Sequence, residues 1–113
     1  MELRSLTEAE PFTTKDGSTI RELHHTELQS LAEATLEPGQ GTQRHYHGVT
    51  EEIYLVTSGG GTLEVDGVSR EVATGDAVLI PPGAWHELVA GPAGAQLLCM
   101  CAPPYSHEDT QFS

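Results

Sequence analysis

Basic residues are scarce in this chain. Arg4, Lys15, Arg21, Arg44 and Arg70 are the only five, against 17 acidic residues, for a formal net charge of −12. They form no stripe, so phosphate backbones and anionic membrane surfaces would repel the chain rather than bind it. Long apolar runs are also missing. No stretch approaches the roughly 20 residues of a membrane-spanning helix. The opening Met1-Glu2-Leu3-Arg4-Ser5 lacks the apolar core of a signal peptide. The expectation is a soluble, cytoplasmic protein with neither nucleic-acid nor membrane partners. Cysteine is nearly absent. Cys99 and Cys101 stand one residue apart, too close for an unstrained disulfide, and two thiols do not complete a zinc site. They read as small strand residues in a reducing compartment. Amphipathic helices, repeats and low-complexity segments are lacking as well.

What the chain does have is glycine (12) and proline (7) among 113 residues that are 37% hydrophobic. That mixture favours short strands and tight turns within a single domain. Lys15-Asp16-Gly17-Ser18 reads as a turn and Ile20–His24 as a first strand. Leu31–Leu36 alternates, with Ala32, Ala34 and Leu36 on one side. After Glu37-Pro38-Gly39-Gln40-Gly41, residues 43–47 are short and extended, and Glu52–Thr57 is rich in β-formers. Gly59-Gly60-Gly61 is expected to turn the chain. The clearest hairpin pairs Thr62–Val65 with Val68–Val72 around Asp66-Gly67, a favoured two-residue turn. Ala77–Ile80 reads as a buried strand stopped by Pro81-Pro82-Gly83. His86–Val89, a turn at Gly91-Pro92-Ala93-Gly94, and a strand over residues 96–101 complete the core. The polar tail is expected to carry at most a helical turn at Ser106–Asp109. Roughly eight to ten strands at this turn spacing describe an all-β sandwich or barrel, and the hairpin-rich halves suggest a jelly roll.

Two blocks carry the chemistry. The first is Gly39-x5-His45-x-His47-x4-Glu52-x6-Gly59, and the second is Gly75-x5-Pro81-x-Gly83-x2-His86. Side chains alternate along a strand, so His45 and His47 share a face, with Gln43 expected beside them and Arg44 and Tyr46 opposite. Glu52 enters from the next strand. Its neighbour Glu51 is the rival, but alternation turns Glu51 outward. His86 follows a Pro-Pro-Gly bend that aims its strand. Three imidazoles and one carboxylate suit a divalent transition metal with open positions left for a ligand. Tyr54 and Val56 share the face of Glu52, and Leu88 and Ala90 that of His86. The cavity is thus expected to be apolar, with Gln43 and Tyr54 as its polar tips and candidate catalytic groups. Tyr54 also has a purely structural reading, as a core aromatic whose hydroxyl finds a partner. Trp85 is expected at the barrel mouth or a subunit contact. His24, His25 and His107 lie outside both blocks and are read as structural or exposed.

These blocks, PGQGTQRHYHGVTEEIYLVTSG from Pro38 and GDAVLIPPGAWH from Gly75, resemble the two motifs of the cupin superfamily. The resemblance spans residues 30–101. It implies a cupin-type jelly roll, or double-stranded β-helix barrel, over 1–113, with a core at about 28–101, an N-terminal arm at 1–18 and a C-terminal tail at 102–113. It matches His45, His47, Glu52 and His86 to the family's metal-ligand positions. Where the family often has an asparagine four residues beyond the second-motif histidine, this chain has Ala90. The resemblance also implies a homodimer, which would cover open sheet edges.

The implied cofactor is one divalent transition metal: iron, manganese, zinc, nickel or copper. The implied activity is that of a metalloenzyme acting on a small organic molecule, either dioxygenase-like or a Lewis-acid isomerase or lyase. A non-catalytic module that binds a metal and a small molecule is the alternative, and a structural barrel with relict ligands the third. The apolar pocket and the scarcity of lysine argue mildly against a sugar-phosphate substrate.

Overall fold

The computed structural model describes residues 1–14 and 16–113. Of the expected turn at 15–18, Lys15 lies outside the described residues. Gly17 has φ +97°, and its N–H donates to the Thr14 carbonyl, which is the bend that the Asp-Gly-Ser run implied.

The structure is all strand: β1 (Phe12–Thr13), β2 (Thr19–His25), β3 (Ser30–Leu36), β4 (His45–His47), β5 (Glu51–Val65), β6 (Val68–Ala73), β7 (Ala77–Ile80), β8 (His86–Ala102) and β9 (Thr110–Phe112). They form one curled sheet in the order β1-β2-β3-β8-β4-β9. β5 joins through β8 and carries β6 and β7 on its other side, and every pairing is antiparallel. This all-β curl is the jelly-roll architecture that the turn spacing implied. Among the described residues no helix is long and apolar enough to cross a membrane.

The Asp66-Gly67 hairpin forms as expected. Both residues have positive φ, +47° and +86°, as a type I′ turn requires. The Asp66 carboxylate also accepts the Trp85 N–H at 2.9 Å, which ties the hairpin to the second motif.

Two expected turns are instead bends inside continuous strands. β5 runs straight through Gly59-Gly60-Gly61, and β8 runs through Gly91-Pro92-Ala93-Gly94. The register between them slips at Val56/Ser58 and Gly59/Gly61. Backbone approach explains the glycines. A Cβ on Gly59, Gly60 or Gly61 would fall on the carbonyl oxygen of Gly94, Val72 or Val89 respectively. Bulged glycines let each long strand pass from one wall of the curl to the other without breaking its ladder.

β7 also departs from expectation. Only Ile80 is buried, while Ala77 and Leu79 are exposed. Among the described residues the strand pairs with β5 alone, which leaves its other edge unpaired, and its outer face, with Ala77 and Leu79, is exposed.

The interior is built in cross-strand rows. Ala34 lies opposite Leu97, which lies opposite Val56, and all three are buried. One row along, Ala32, Cys99, Tyr54 and Val78 align across β3, β8, β5 and β7, followed by Ser30, Cys101, Glu52 and Ile80. These rows carry the apolar core directly into the candidate site.

Candidate metal centre

Strand β4 points His45 and His47 inward and Tyr46 outward, as period-2 alternation demands. β8 brings His86 directly opposite His45, and β5 brings Glu52 in beside them. All four are buried, at 3%, 4%, 0% and 5% exposure for His45, His47, His86 and Glu52. Glu51 is exposed, as alternation required. The imidazole donor atoms lie within 4.8 Å of one another. Glu52 Oε1 stands 3.3 Å from His47 Nε2 and 3.5 Å from His86 Nε2.

The partners of the far ring nitrogens determine what this cluster is for. His45 Nδ1 lies 2.7 Å from the Gln43 carbonyl, and His86 Nδ1 lies 2.9 Å from the Ala84 carbonyl. A carbonyl only accepts, so both Nδ1 atoms carry the proton. His47 Nδ1 lies 3.0 Å from Thr110 Oγ1, whose own proton goes to the Ser106 carbonyl at 2.9 Å. Thr110 therefore accepts, and His47 Nδ1 is protonated too. In its neutral form each ring then turns a bare Nε2 lone pair toward the others. Glu52 Oε1 and His86 Nε2 are buried with no hydrogen-bond partner. Converging lone pairs around an unpartnered carboxylate oxygen repel one another unless a cation sits among them. The arrangement fits a divalent metal held by the three imidazoles, with the Glu52 carboxylate beside them and each imidazole oriented by an outer acceptor.

The other carboxylate oxygen is also accounted for. Cys101 Sγ donates to Glu52 Oε2 at 3.3 Å, leaving Oε1 for the centre. Burial, followed by the Glu52 charge, pushes the Cys101 thiol well up, so it remains a thiol and a donor. For Glu52, burial pushes the carboxyl upward, but the adjoining His47 and His86 imidazoles outweigh it and hold it at about 2. His45 is lowered by burial and then by the neighbouring His86, with His47 adding a smaller push the same way.

His45, His47 and Glu52 form one wall of a cavity of about 80 Å³, room for a few waters or one small organic molecule. Tyr54, Leu88, Leu97 and Cys99 line it. Tyr54 is 7% exposed with its ring 5.9 Å from that of His86. Burial, then the Glu52 charge, raises its phenol far above the ordinary value. Among the described residues no lysine or arginine lines the cavity. Arg44 faces outward as expected, paired with Glu64 at 2.7 Å, its guanidinium 5.0 Å from the Trp85 ring centroid. Trp85 itself is half-buried against Tyr46.

Gln43 does not join His45 and His47. β4 begins only at His45, so alternation does not reach back to residue 43. The Gln43 side chain is exposed and donates to the Ser113 carbonyl at 3.3 Å, and what it gives the site is its backbone carbonyl. Besides Tyr54, the cavity has polar groups from places that alternation in the two motifs does not reach, among them Thr14, Asp16 and Ser18 before β2, and Tyr105 and Thr110 in the C-terminal segment. The Asp-Gly-Ser turn was the only signal for the first set, and nothing in the pattern marked the second. His25 pairs with Glu22 at the surface and His107 is exposed. His24 is half-buried outside the histidine cluster.

A family model described as "Cupin domain" matches residues 32–101, well over half of the chain. The chain belongs to the cupin family. This cupin is 44% identical over 108 residues to the uncharacterised protein MJ1618 of Methanocaldococcus jannaschii, covering 90% of the chain and 86% of the relative. It is 41% identical over 64 residues to the dimethylsulfoniopropionate lyase DddW of Ruegeria pomeroyi, covering 57% of the chain and 41% of that enzyme. The chain thus aligns to less than half the length of DddW. Among solved structures, its fold is similar to that of Pac13, a nucleoside dehydratase from Streptomyces. The TM-score is 0.86 at 17% identity, over 100% of this cupin and 91% of Pac13.

Proposed function

We propose that this cupin is a metal-dependent enzyme acting on a small organic molecule, and that its chemistry is of the Lewis-acid lyase or isomerase kind. The observation that carries the metal reading is the set of three Nδ1-protonated imidazoles turning bare Nε2 atoms toward the unpartnered Glu52 Oε1. His45, His47, His86 and Glu52 would hold the ion, and a divalent metal there supplies Lewis-acid polarisation of a ligand oxygen. The chain's own residues do the rest. Leu88, Leu97 and the rings of Tyr54 and Phe112 exclude water and favour the apolar part of a ligand. The Tyr54 phenol stays protonated, so it can donate a hydrogen bond to a ligand oxygen, while its raised pKa makes it a reluctant acid and leaves it unavailable as a base. The partial likeness to a lyase is what favours elimination or isomerisation over the dioxygenase-like route.

The test is elemental analysis of protein purified without chelator. Assays for elimination, isomerisation and oxygen uptake over small carbonyl, thiol, catechol and sulfonium compounds go with it. One divalent ion per chain with elimination or isomerisation bears the reading out. Oxygen consumption moves the protein to the dioxygenase class. A bound metal without turnover of any compound leaves the non-catalytic binding module.

We further propose that the protein is a homodimer of the reducing cytoplasm. Cys99 and Cys101 are both free, which agrees with a reducing compartment. Leu31, Met100, Ile53 and Leu79 lie side by side across β3, β8, β5 and β7 on the outer face. This is an apolar row suited to a second copy.

A further inference from the structure

We propose that Thr110, on the C-terminal strand β9, is a positioning residue of the metal centre: it holds His47 in the tautomer that presents Nε2 as a ligand. The inference rests on the metal reading above and reaches beyond the residues that the cupin model matches, which end at 101.

The three imidazoles are not held in the same way. His45 and His86 each donate Nδ1–H to the carbonyl two residues back on their own stretch of chain, Gln43 and Ala84. Their tautomers are set locally. His47 has no such carbonyl partner. Its Nδ1 reaches a side chain 63 residues away in sequence, Thr110 Oγ1.

That hydroxyl can accept because its proton is already committed to the Ser106 carbonyl. Thr110 is 8% exposed, so water does not compete well for either bond. The segment carrying it is laced to the His47 side of the site. β9 pairs with β4, placing Thr110 opposite His47. The Asp109 carboxylate accepts the N–H groups of Val49 and Thr50, and the Asp109 carbonyl accepts that of Gly48. The Thr50 hydroxyl donates to the Pro103 carbonyl at 3.0 Å. The same segment sets Tyr105 against His47 and Phe112 against His45, each with ring centroids 5.8 Å apart. Residues 103–113 therefore act as a strap across the centre, and Thr110 is where the strap meets a ligand. Without the Thr110 oxygen, His47 could move its proton to Nε2 and hydrogen-bond Glu52 Oε1, closing two ligand atoms to a metal.

The experiment compares wild type, Thr110→Val and Thr110→Ser. Cobalt(II) binding is titrated by absorbance and by competition with a chelator, folding is checked by circular dichroism and thermal melting, and histidine tautomers are read in metal-free protein by long-range ¹H–¹⁵N correlation. Thr110→Val should fold and bind cobalt about 10- to 100-fold more weakly, with His47 shifting toward the Nε2–H form. Thr110→Ser, which keeps the oxygen, should restore most of the affinity. Equal affinity in wild type and Thr110→Val overturns the assignment while leaving the metal site standing. Failure of wild type to bind cobalt sinks the metal reading and this inference with it. If Thr110→Val does not fold, the wild-type spectrum decides: Nδ1–H on His47 supports the role, and Nε2–H refutes it.

Discussion

At one end of β3, β8 and β5 the inner and outer faces invert the usual arrangement of a soluble sheet. On β3, β8 and β5 the inward rows place Ser30, Cys101 and Glu52 side by side, with the His47 and His86 rings against Glu52. On the outward row of the same strands stand Leu31, Met100 and Ile53, continued by Leu79 on β7. Met100 and Leu79 are 37% and 56% exposed. Polar groups are inside and apolar ones outside, one residue apart along each strand. Burying a carboxylate and three imidazoles costs stability, so the inner face is arranged for binding. The outer face carries apolar surface that a monomer gains nothing from exposing.

The largest effect that separates the faces concerns Glu52. In the metal-free protein the adjoining His47 and His86 hold the Glu52 carboxyl down at about 2 against its burial. A carboxyl depressed in the folded state contributes stability above its unfolded value near 4.5, and that contribution is lost as pH falls toward 2. The shift corresponds to about 3 kcal/mol. Denaturant unfolding of metal-free wild type should therefore weaken steeply between those two pH values. Glu52→Gln should show a flatter acid limb and bind divalent metal more than about 100-fold more weakly, beyond the range of an outer acceptor. Parallel acid limbs in the two proteins would mean that Glu52 is not engaged by the imidazoles.

How far the inner face could be read in the chain depends on the range of the interactions that set it. The convergence of His45, His47, Glu52 and His86 was legible because strand alternation and the spacing to Gly59 and Gly83 are local rules, and the same parity preferred Glu52 to its rival Glu51. The Asp66-Gly67 hairpin was legible for that reason too. Gly59-Gly60-Gly61 was misread as a turn because glycine marks both chain reversal and close backbone approach. Only the contacts with Gly94, Val72 and Val89 distinguish the two. Gln43 was misplaced because parity was extended past the end of β4. Thr110 was out of reach, since a polar tail with a three-residue strand has no pattern of its own. What pins it is hydrogen bonding to residues 43–50, far away in sequence.

A smaller effect sharpens the account of the inner face. Cys101 donates to Glu52 Oε2 from directly across the β5–β8 ladder, which leaves Oε1 free for the metal. Removing one outer contact to a ligand should lower metal affinity by about 10-fold. Cys101→Ala should show that loss with folding intact, and Cys101→Ser, a better donor of similar size, should bind as tightly as wild type or tighter. If alanine and serine behave alike, the thiol is filling space and Glu52 is oriented by the ladder alone.

The smallest effect on the chain itself, and the one that tests the outer face, is Met100→Glu. Met100 is partly exposed at the centre of the apolar row, so a carboxylate there stays in water in a monomer and the melting temperature of a dilute sample should hardly change. In a dimer closed over this row the same carboxylate would be buried unpaired near its own copy, on a chain that already carries −12. Sedimentation should then show wild type as a dimer and the variant as a monomer that still binds metal, because the inner face of β8 is untouched. A wild type that sediments as a monomer at every concentration would separate the two faces differently. The apolar row would then be an exposed surface with no second copy on it, and the inversion would rest on the buried cluster alone.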